Sequence, residues 1–331
     1  MAFDGIVTKA IVTELQELVG SKIDKVHEPD KNTIVLGLYS QGKNYALNIC
    51  IDAHNCRLNL TTHTKMNPLV APNFCMLLRK YLIGGKISNI SMQGLERIVN
   101  IEIETINEFN EIENKTLILE LMGKHSNIIL KNQNDIIIDA MRHIASNNSY
   151  REILPSRIYT LPQSNKYEFT KLSGPEEFGE KLEIDSTEND CAKKLSNTFT
   201  GISLSFAKSA VEQRKLPEIY NYINEIINSK KLKFELEGSD YVLKLSDQEK
   251  ERFELNFFID DFYFERETTE AFTNARNTML RMILEVLKKY KNRLASIDAK
   301  LQECDGMDKY RLYGELITAN LYRLPNNHSE S

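Results

Sequence analysis

"GSKIDKV" at residues 20–26 and "GGKISNI" at residues 84–90 are one pattern met twice, 64 residues apart. At the same offset Ile34-Val35 falls on Ile98-Val99. Ahead of each copy runs an apolar series at helical spacing: Val7, Ile11, Leu15 and Leu18 before the first, Phe74, Leu77, Leu78 and Tyr81 before the second. A glycine then stands where a helix end favours a left-handed residue. The repeated unit is therefore helix, glycine, strand, turn, strand, with turns at Glu28-Pro29-Asp30-Lys31-Asn32 and Gln93-Gly94-Leu95-Glu96. Further strands are expected over 45–51, 117–122 and 127–130. The pattern predicts an α+β domain of two related β-rich halves with flanking helices, spanning residues 1–172.

Beyond this domain the composition changes. Residues 163–188 are polar and carry Gly174-Pro175, as in a linker or loop-rich junction. In "CAKKLSNTFTGISLSFAKSAVEQRK" (191–215) two helical patterns meet at Phe199-Thr200-Gly201-Ile202. Apolar, any, glycine, apolar is the spacing of a helix-hairpin-helix, in which the second helix can turn its N-terminal amides to a phosphate. A helical hairpin that merely packs reads the same way. We place this domain at 173–232. Residues 233–270 read as a short β-rich connection ending in "LNFFIDDFYFE", and Ala271 is expected to open a long helix. There Met279, Ile283, Val286, Tyr290, Leu294, Ile297 and Leu301 form a near-heptad seam, the first arm of a coiled coil within 271–331. After Gly306 only "YRLYGELITANLYRL" looks helical, so the chain is expected to be the N-terminal part of a longer protein.

The chain has 331 residues, with 42 Lys and Arg against 47 Asp and Glu, a formal charge of -5. That sum argues against a general nucleic-acid binder. The charge is nevertheless segregated: residues 101–120 hold six acids and one base, 191–215 five bases and one acid, and 271–296 six bases and one acid. The basic segments are candidate polyanion surfaces. Five scattered cysteines without CxxC spacing suit free thiols in a reducing compartment. No apolar run approaches the length of a membrane span, and the N-terminus lacks a signal pattern, so a cytoplasmic location is expected.

At the mouth of the strand "RIVNIEIE", Gly94-Leu95-Glu96-Arg97 sets an acid beside a guanidinium on opposite faces. Arg97 could bridge phosphate oxygens or stack on an unpaired base, or be an ordinary solvated arginine. Asp4 sits where the first helix needs an N-cap. Arg79 and Lys80 could extend a basic rim or simply form the wet face of their helix. Cys50, His54, Cys56 and His63 are the one conceivable metal set, but Cys-x3-His-x-Cys-x6-His fits no common zinc pattern, so neither metal nor cofactor is expected. Phosphate-cradling glycine loops, a Ser-His-Asp order and paired catalytic carboxylates are all missing from the sequence.

Five ordered stretches, "MAFDGIVTKAIVTEL", "APNFCMLLRKYLIGG", "GLERIVNIEI", "ELMGKHSNIIL" and "GELITANLY", resemble the NFACT family, historically labelled fibronectin-binding proteins. The resemblance runs from Met1 to Leu324. It implies an NFACT-N domain, a helix-hairpin-helix and the start of a coiled coil. Functionally it implies ribosome-associated quality control: binding of a stalled large ribosomal subunit with its peptidyl-tRNA, and recruitment of alanyl-tRNA for C-terminal tailing of the nascent chain. Peptide-bond chemistry would then belong to the ribosome, so no enzyme is expected. The family's tRNA-contacting Asp-Arg pair falls on Glu96-Arg97, with Glu for Asp, and its early acidic residue falls on Asp4. Its Gly-Arg-His-Ser-Asn motif appears with Lys124 before His125. With Arg79, Lys80, Gly201 and Lys208 these complete the expected RNA-contacting rim. Two alternatives stand beside this reading: a surface adhesin for fibronectin, and a glycosylase-like DNA-binding protein. The second is disfavoured because Ala2 and Phe3 stand where the Pro-Glu nucleophile of those enzymes would follow the initiator Met.

Overall fold

In the computed structural model the described residues are 3–145, 151–182, 188–248 and 251–323. Helix α1 (Gly5–Leu15) starts at Asp4, whose Oδ1 accepts from the Val7 N–H at 2.9 Å. After α1 and a 3-10 turn (Gln16–Leu18), the chain reverses at Gly20, with φ +92°. Helix α2 (Asn73–Leu82) ends in the same manner at Gly84, with φ +87°. Each glycine leads into a strand pair: β1 (Lys22–Asp30) with β2 (Thr33–Ser40), and β5 (Lys86–Met92) with β6 (Ile98–Ile106).

The repeat is visible in the hydrogen bonds. Gly20 N–H donates to the Ile87 carbonyl (2.7 Å) and Gly84 N–H to that of Ile23 (2.8 Å). Ile23 N–H reaches Gly85 (2.8 Å) and Ile87 N–H reaches Ser21 (2.9 Å). In each pair, moving the donor up by 64 residues and the acceptor down by 64 turns one bond into the other. The two units therefore meet about a local two-fold, joined where Lys22 pairs with Lys86.

With β3 (Lys43–Cys50), β4 (Arg57–Leu60), β7 (Ile112–Glu120), β8 (Asn127–Asn132) and β9 (Ile137–Ala140), they form one nine-stranded antiparallel sheet in the order β4-β3-β2-β1-β5-β6-β7-β8-β9. On β6 the alternate residues Val99, Ile101 and Ile103 are fully buried in the main core against the helices. Ile98 points the other way into a second small core with Ile118, Ile129, Ile137 and Ile153. Beneath that core the fully buried Glu120 is held by the Arg151 guanidinium and by Tyr159 Oη at 2.8 Å.

The helical part contains α3 (Pro175–Leu182), α4 (Glu188–Thr198), α5 (Leu204–Val211) and α6 (Leu216–Asn228). Phe169, Phe178, Phe199 and Tyr220 form its aromatic centre. Residues 163–174 are loop with one 3-10 turn (Phe169–Lys171), whereas 175–182 are helix where a linker or loop-rich junction was expected; residues 183–187 lie outside the described ones. Phe169 is buried, and the backbone is pinned by Tyr167 N–H on Thr198 (2.8 Å) and Thr200 N–H on Tyr167 (2.9 Å). A single apolar anchor outweighs a polar neighbourhood.

A hairpin of β10 (Leu232–Glu237) and β11 (Asp240–Leu245) follows. The stretch "LNFFIDDFYFE" is then helix and not strand, because α7 runs unbroken from Glu254 to Ala319. Its buried residues Leu255, Ile259 and Tyr263 stand four apart, the helical period, which the dense aromatics between them masked. Neither the expected start at Ala271 nor a break after Gly306 is present. Two compact units result, Met1–Phe264 and Glu265–Ser331. Among the described residues, no helix is long and apolar enough to cross a membrane.

Candidate nucleic-acid interface

The turn between β5 and β6 is built by what surrounds it. Glu96 N–H closes it on the Gln93 carbonyl at 3.1 Å, and Gly94 holds φ +56°. Leu95 is fully buried. A Cβ added at Gly5 or at Gly201 would lie 2.1 Å from the Leu95 carbonyl oxygen, so two glycines are needed for three chain segments to meet there. Gly5 N–H also donates to the Gly201 carbonyl at 2.8 Å. The buried Leu95 is thus a fixed post, and the half-buried Glu96 and Arg97 rise from it.

Asp4 lies beneath them. One carboxylate oxygen caps α1, and the other accepts from the Ser203 N–H at 3.1 Å, at the cap of α5. Burial pushes this carboxyl above its ordinary value, while hydrogen bonds from Ser203 and Val7 and the charge of Arg97 hold it down. Part of the amide set expected to meet an external phosphate at the start of α5 is engaged internally. The Ser203 amide already faces an internal carboxylate, and the Phe206 amide is bonded to Ser203 Oγ at 3.2 Å.

Two side chains that the sequence reading passed over complete the cluster. Lys166, anchored on the Ser196 carbonyl at 2.6 Å, has its pKa lowered by burial and by the nearby Arg97. Glu168 packs against the open face of Gly94, where a Cβ would lie 1.6 Å from its Oε1, and pairs with Lys171 at 2.6 Å. The Glu96 carboxyl is raised by burial and then by Glu168, against the pull of Arg97 and Lys166. Their signal was the Tyr167–Phe169 anchor inside a polar run. Acids and bases are evenly matched here, so the cluster offers directed donors and acceptors in place of a broad positive field. A guanidinium and an ammonium suit phosphate, ribose or a base face, and the carboxylates suit amino groups or a 2′-OH.

Asp4, Glu96, Arg97 and Gly201 therefore converge, although they stand far apart in the sequence. Lys124 and His125 are exposed in a 3-10 turn at the same end of the sheet, where Leu121 N–H donates to the Arg97 carbonyl at 2.8 Å. Arg142 braces that turn, donating to Ser126 O at 3.0 Å, Asn32 Oδ1 at 2.8 Å and Ile51 O at 3.0 Å. Lys208 is exposed on α5.

The other two bases are engaged elsewhere. Arg79 Nε donates to the Val26 carbonyl at 2.9 Å, so it ties α2 to β1. Lys80 lines a cavity of about 410 Å³ with Tyr81, Thr105, Phe109 and Lys115. That cavity lies at the far end of β6 from Arg97, roughly 30 Å away at about 3.3 Å per strand residue. Cys50 and Cys56 are buried, and His63 turns to Asp260 and Asp261 instead of to them.

The family described as NFACT N-terminal and middle domains matches residues 4–331. The chain is 31% identical to the Rqc2 homolog RqcH of Bacillus subtilis, over all of this chain and 61% of that protein. It thus spans about three fifths of the length of that relative. Among solved structures, the N-terminal part of the fibronectin/fibrinogen-binding protein of Streptococcus suis superposes with a TM-score of 0.68 at 29% identity, covering 80% of this chain and 99% of that one. The fibrinogen-binding protein of Staphylococcus aureus gives 0.67 at 29% identity, covering 80% and 99%.

Proposed function

The chain belongs to the NFACT family, and from that premise we propose that it is the N-terminal portion of a ribosome-associated quality-control factor that grips tRNA at the Glu96–Arg97 turn. The observation that carries this reading is the convergence of Asp4, Glu96, Arg97 and Gly201 on one buried post, Leu95, with Lys166 and Glu168 beside them. So much rigid scaffolding beneath two half-buried side chains suits recognition, because a contact held in place loses little entropy on binding.

In this scheme the full-length protein binds a stalled large subunit carrying peptidyl-tRNA and recruits alanyl-tRNA, and the ribosome forms the peptide bonds. The protein acts as a delivery factor and not as an enzyme. Residues 188–211 are its helix-hairpin-helix, used to lock Asp4 in place. The exposed seam Met279–Leu301 of α7 is one arm of a coiled coil whose partner helix lies outside this chain. The test is co-sedimentation of the full-length protein with large ribosomal subunits, with sequencing of the RNA that co-purifies. Recovery of tRNA in the subunit fraction supports the reading, and protein confined to the subunit-free fractions refutes it.

The names of the structural neighbours favour a second reading, binding of fibronectin or fibrinogen. Saturable binding of the chain to immobilised fibronectin, unaffected by Arg97→Ala, would support it. Arg97→Ala separates the two because only the tRNA reading needs that guanidinium.

A further inference from the structure

We propose that His63, Asp260 and Asp261 form a binding site for a divalent transition-metal ion, of which zinc suits the donors best, clamping the first turns of α7 to the end of β4. The histidine was singled out by the sequence for a metal set with cysteines. The fold gives it two aspartates instead.

The geometry is close to a coordination sphere. His63 Nε2 stands 3.0 Å from Asp261 Oδ1 and 3.9 Å from Asp260 Oδ2, and the three ligand atoms all lie within 4.8 Å of one another. Ligands bound at ~2.1 Å around one ion stand ~3.0 Å apart at an octahedral right angle and ~3.4 Å apart in a tetrahedron. Around one tetrahedral ion the Asp261 edge would open by about 0.4 Å, the Asp260 edge would close by about half an ångström, and the two carboxylate oxygens would draw together to ~3.4 Å.

Each donor is held by groups behind it, as metal ligands are. The imidazole lies flat on Phe264, with ring centroids 3.8 Å apart and planes 6° from parallel. The His63 backbone N–H donates to Thr61 Oγ1 at 3.1 Å, which fixes the main chain that carries the ring. The Asp260 side chain is only 5% exposed, and its carboxylate accepts from Asn59 Nδ2 at 3.1 Å and Thr62 N–H at 2.8 Å. Asn59 in turn accepts from Asn48 at 3.2 Å, so a buried amide relay orients the carboxylate. His63, with 31% of its side chain exposed, and Asp261, with 71%, leave the opposite side open to water ligands. One imidazole with two carboxylates favours zinc, because imidazole discriminates against calcium and magnesium.

The two donor strands differ in origin. His63 follows β4, and the aspartates lie on the helix some 200 residues later. An ion there would cross-link them, so its binding should also raise the melting temperature of the unit Met1–Phe264. The experiment is isothermal titration of the 331-residue chain with zinc, carried out in a Cys304→Ser background to remove the exposed thiol. Thermal unfolding with and without zinc, and a competition arm with excess magnesium, complete it. One saturable zinc per chain is expected, insensitive to magnesium, with a higher melting temperature when bound. Affinity should fall at least about tenfold in both His63→Gln and Asp261→Asn, and stay unchanged in His54→Gln. Asp261 is exposed, so its variant will fold. Absence of saturable binding, or an affinity unchanged in either His63→Gln or Asp261→Asn, would overturn the assignment.

Discussion

Replacing Gly201 by Ala should destabilise the protein through two separable effects. The first is conformational: φ is +71°, and a Cβ in the left-handed region costs ~1–2 kcal/mol. The second is steric. The new Cβ would stand 2.1 Å from the Leu95 carbonyl oxygen and 2.7 Å from Leu95 Cβ. Both neighbours are on a fully buried residue, so the segments must part by about an ångström, an overpacking cost of ~1–3 kcal/mol. Together the loss is ~2–5 kcal/mol. Two controls separate the parts. Gly42→Ala has φ +79° with nothing within 4 Å of the new Cβ, so it reports the conformational cost alone. Gly5→Ala, outside the left-handed region, meets the same oxygen at 2.1 Å and reports the steric cost. Urea unfolding at 25 °C reads all three. If Gly201→Ala lies within ~0.5 kcal/mol of Gly42→Ala, the tight meeting at Leu95 is not what holds the turn.

Three further outcomes follow from the same geometry. Burial raises the Asp4 carboxyl above 3.8, so between 3.8 and its folded-state value the native chain binds more protons than the unfolded one, and stability falls as pH rises through that window. Asp4→Asn keeps a capping oxygen, so its melting temperature should vary less with pH across the window; a slope equal to the parent's contradicts the burial argument. Arg151→Ala leaves the fully buried Glu120 without its guanidinium and should cost ~3–5 kcal/mol in urea unfolding, most of it recovered by adding Glu120→Leu; no recovery would show that the pair is not coupled. Arg214, which donates to the Ser209 carbonyl at 2.8 Å and lies 3.9 Å over the Tyr222 ring, should when changed to Ala lower stability by ~1 kcal/mol and leave RNA affinity alone. The exposed Lys208→Ala should do the reverse, and an exchange of these two phenotypes would refute the placement.

Local periodicity made the repeat legible. Helix, left-handed glycine and strand pair were all marked by residue types that depend on near neighbours, and the antiparallel sheet followed from them. The Asp4 cap was readable for the same reason. What the sequence could not show was which chain segment covers which. The role of Ser203 in binding Asp4, of Glu168 in filling the space above Gly94, and of Lys166 in crowding Arg97 are contacts over 70 to 200 residues. "LNFFIDDFYFE" misled because aromatics on three sides of a helix blur its period, so the strand-like density of Phe and Tyr outweighed the spacing of Leu255, Ile259 and Tyr263. The tie of Arg79 to the Val26 carbonyl was not legible because a helix-surface base looks the same whether it meets solvent or a strand carbonyl. The choice of Glu96 and Arg97 as the candidate pair came from the family resemblance; alone, the turn was only a turn.

The most direct test of the account is the affinity of the full-length protein for tRNA, measured by fluorescence anisotropy at two salt concentrations for the parent and for Arg97→Ala. With Arg97 rising from a buried post, the variant should unfold at the parent's temperature yet bind tRNA at least tenfold more weakly, about 1.4 kcal/mol. The salt slope should fall by about 1 if the guanidinium meets a phosphate, or stay fixed with altered preference among tRNAs if it meets a base. Equal affinity of parent and variant at both salt concentrations would contradict the claim that this turn is the tRNA grip.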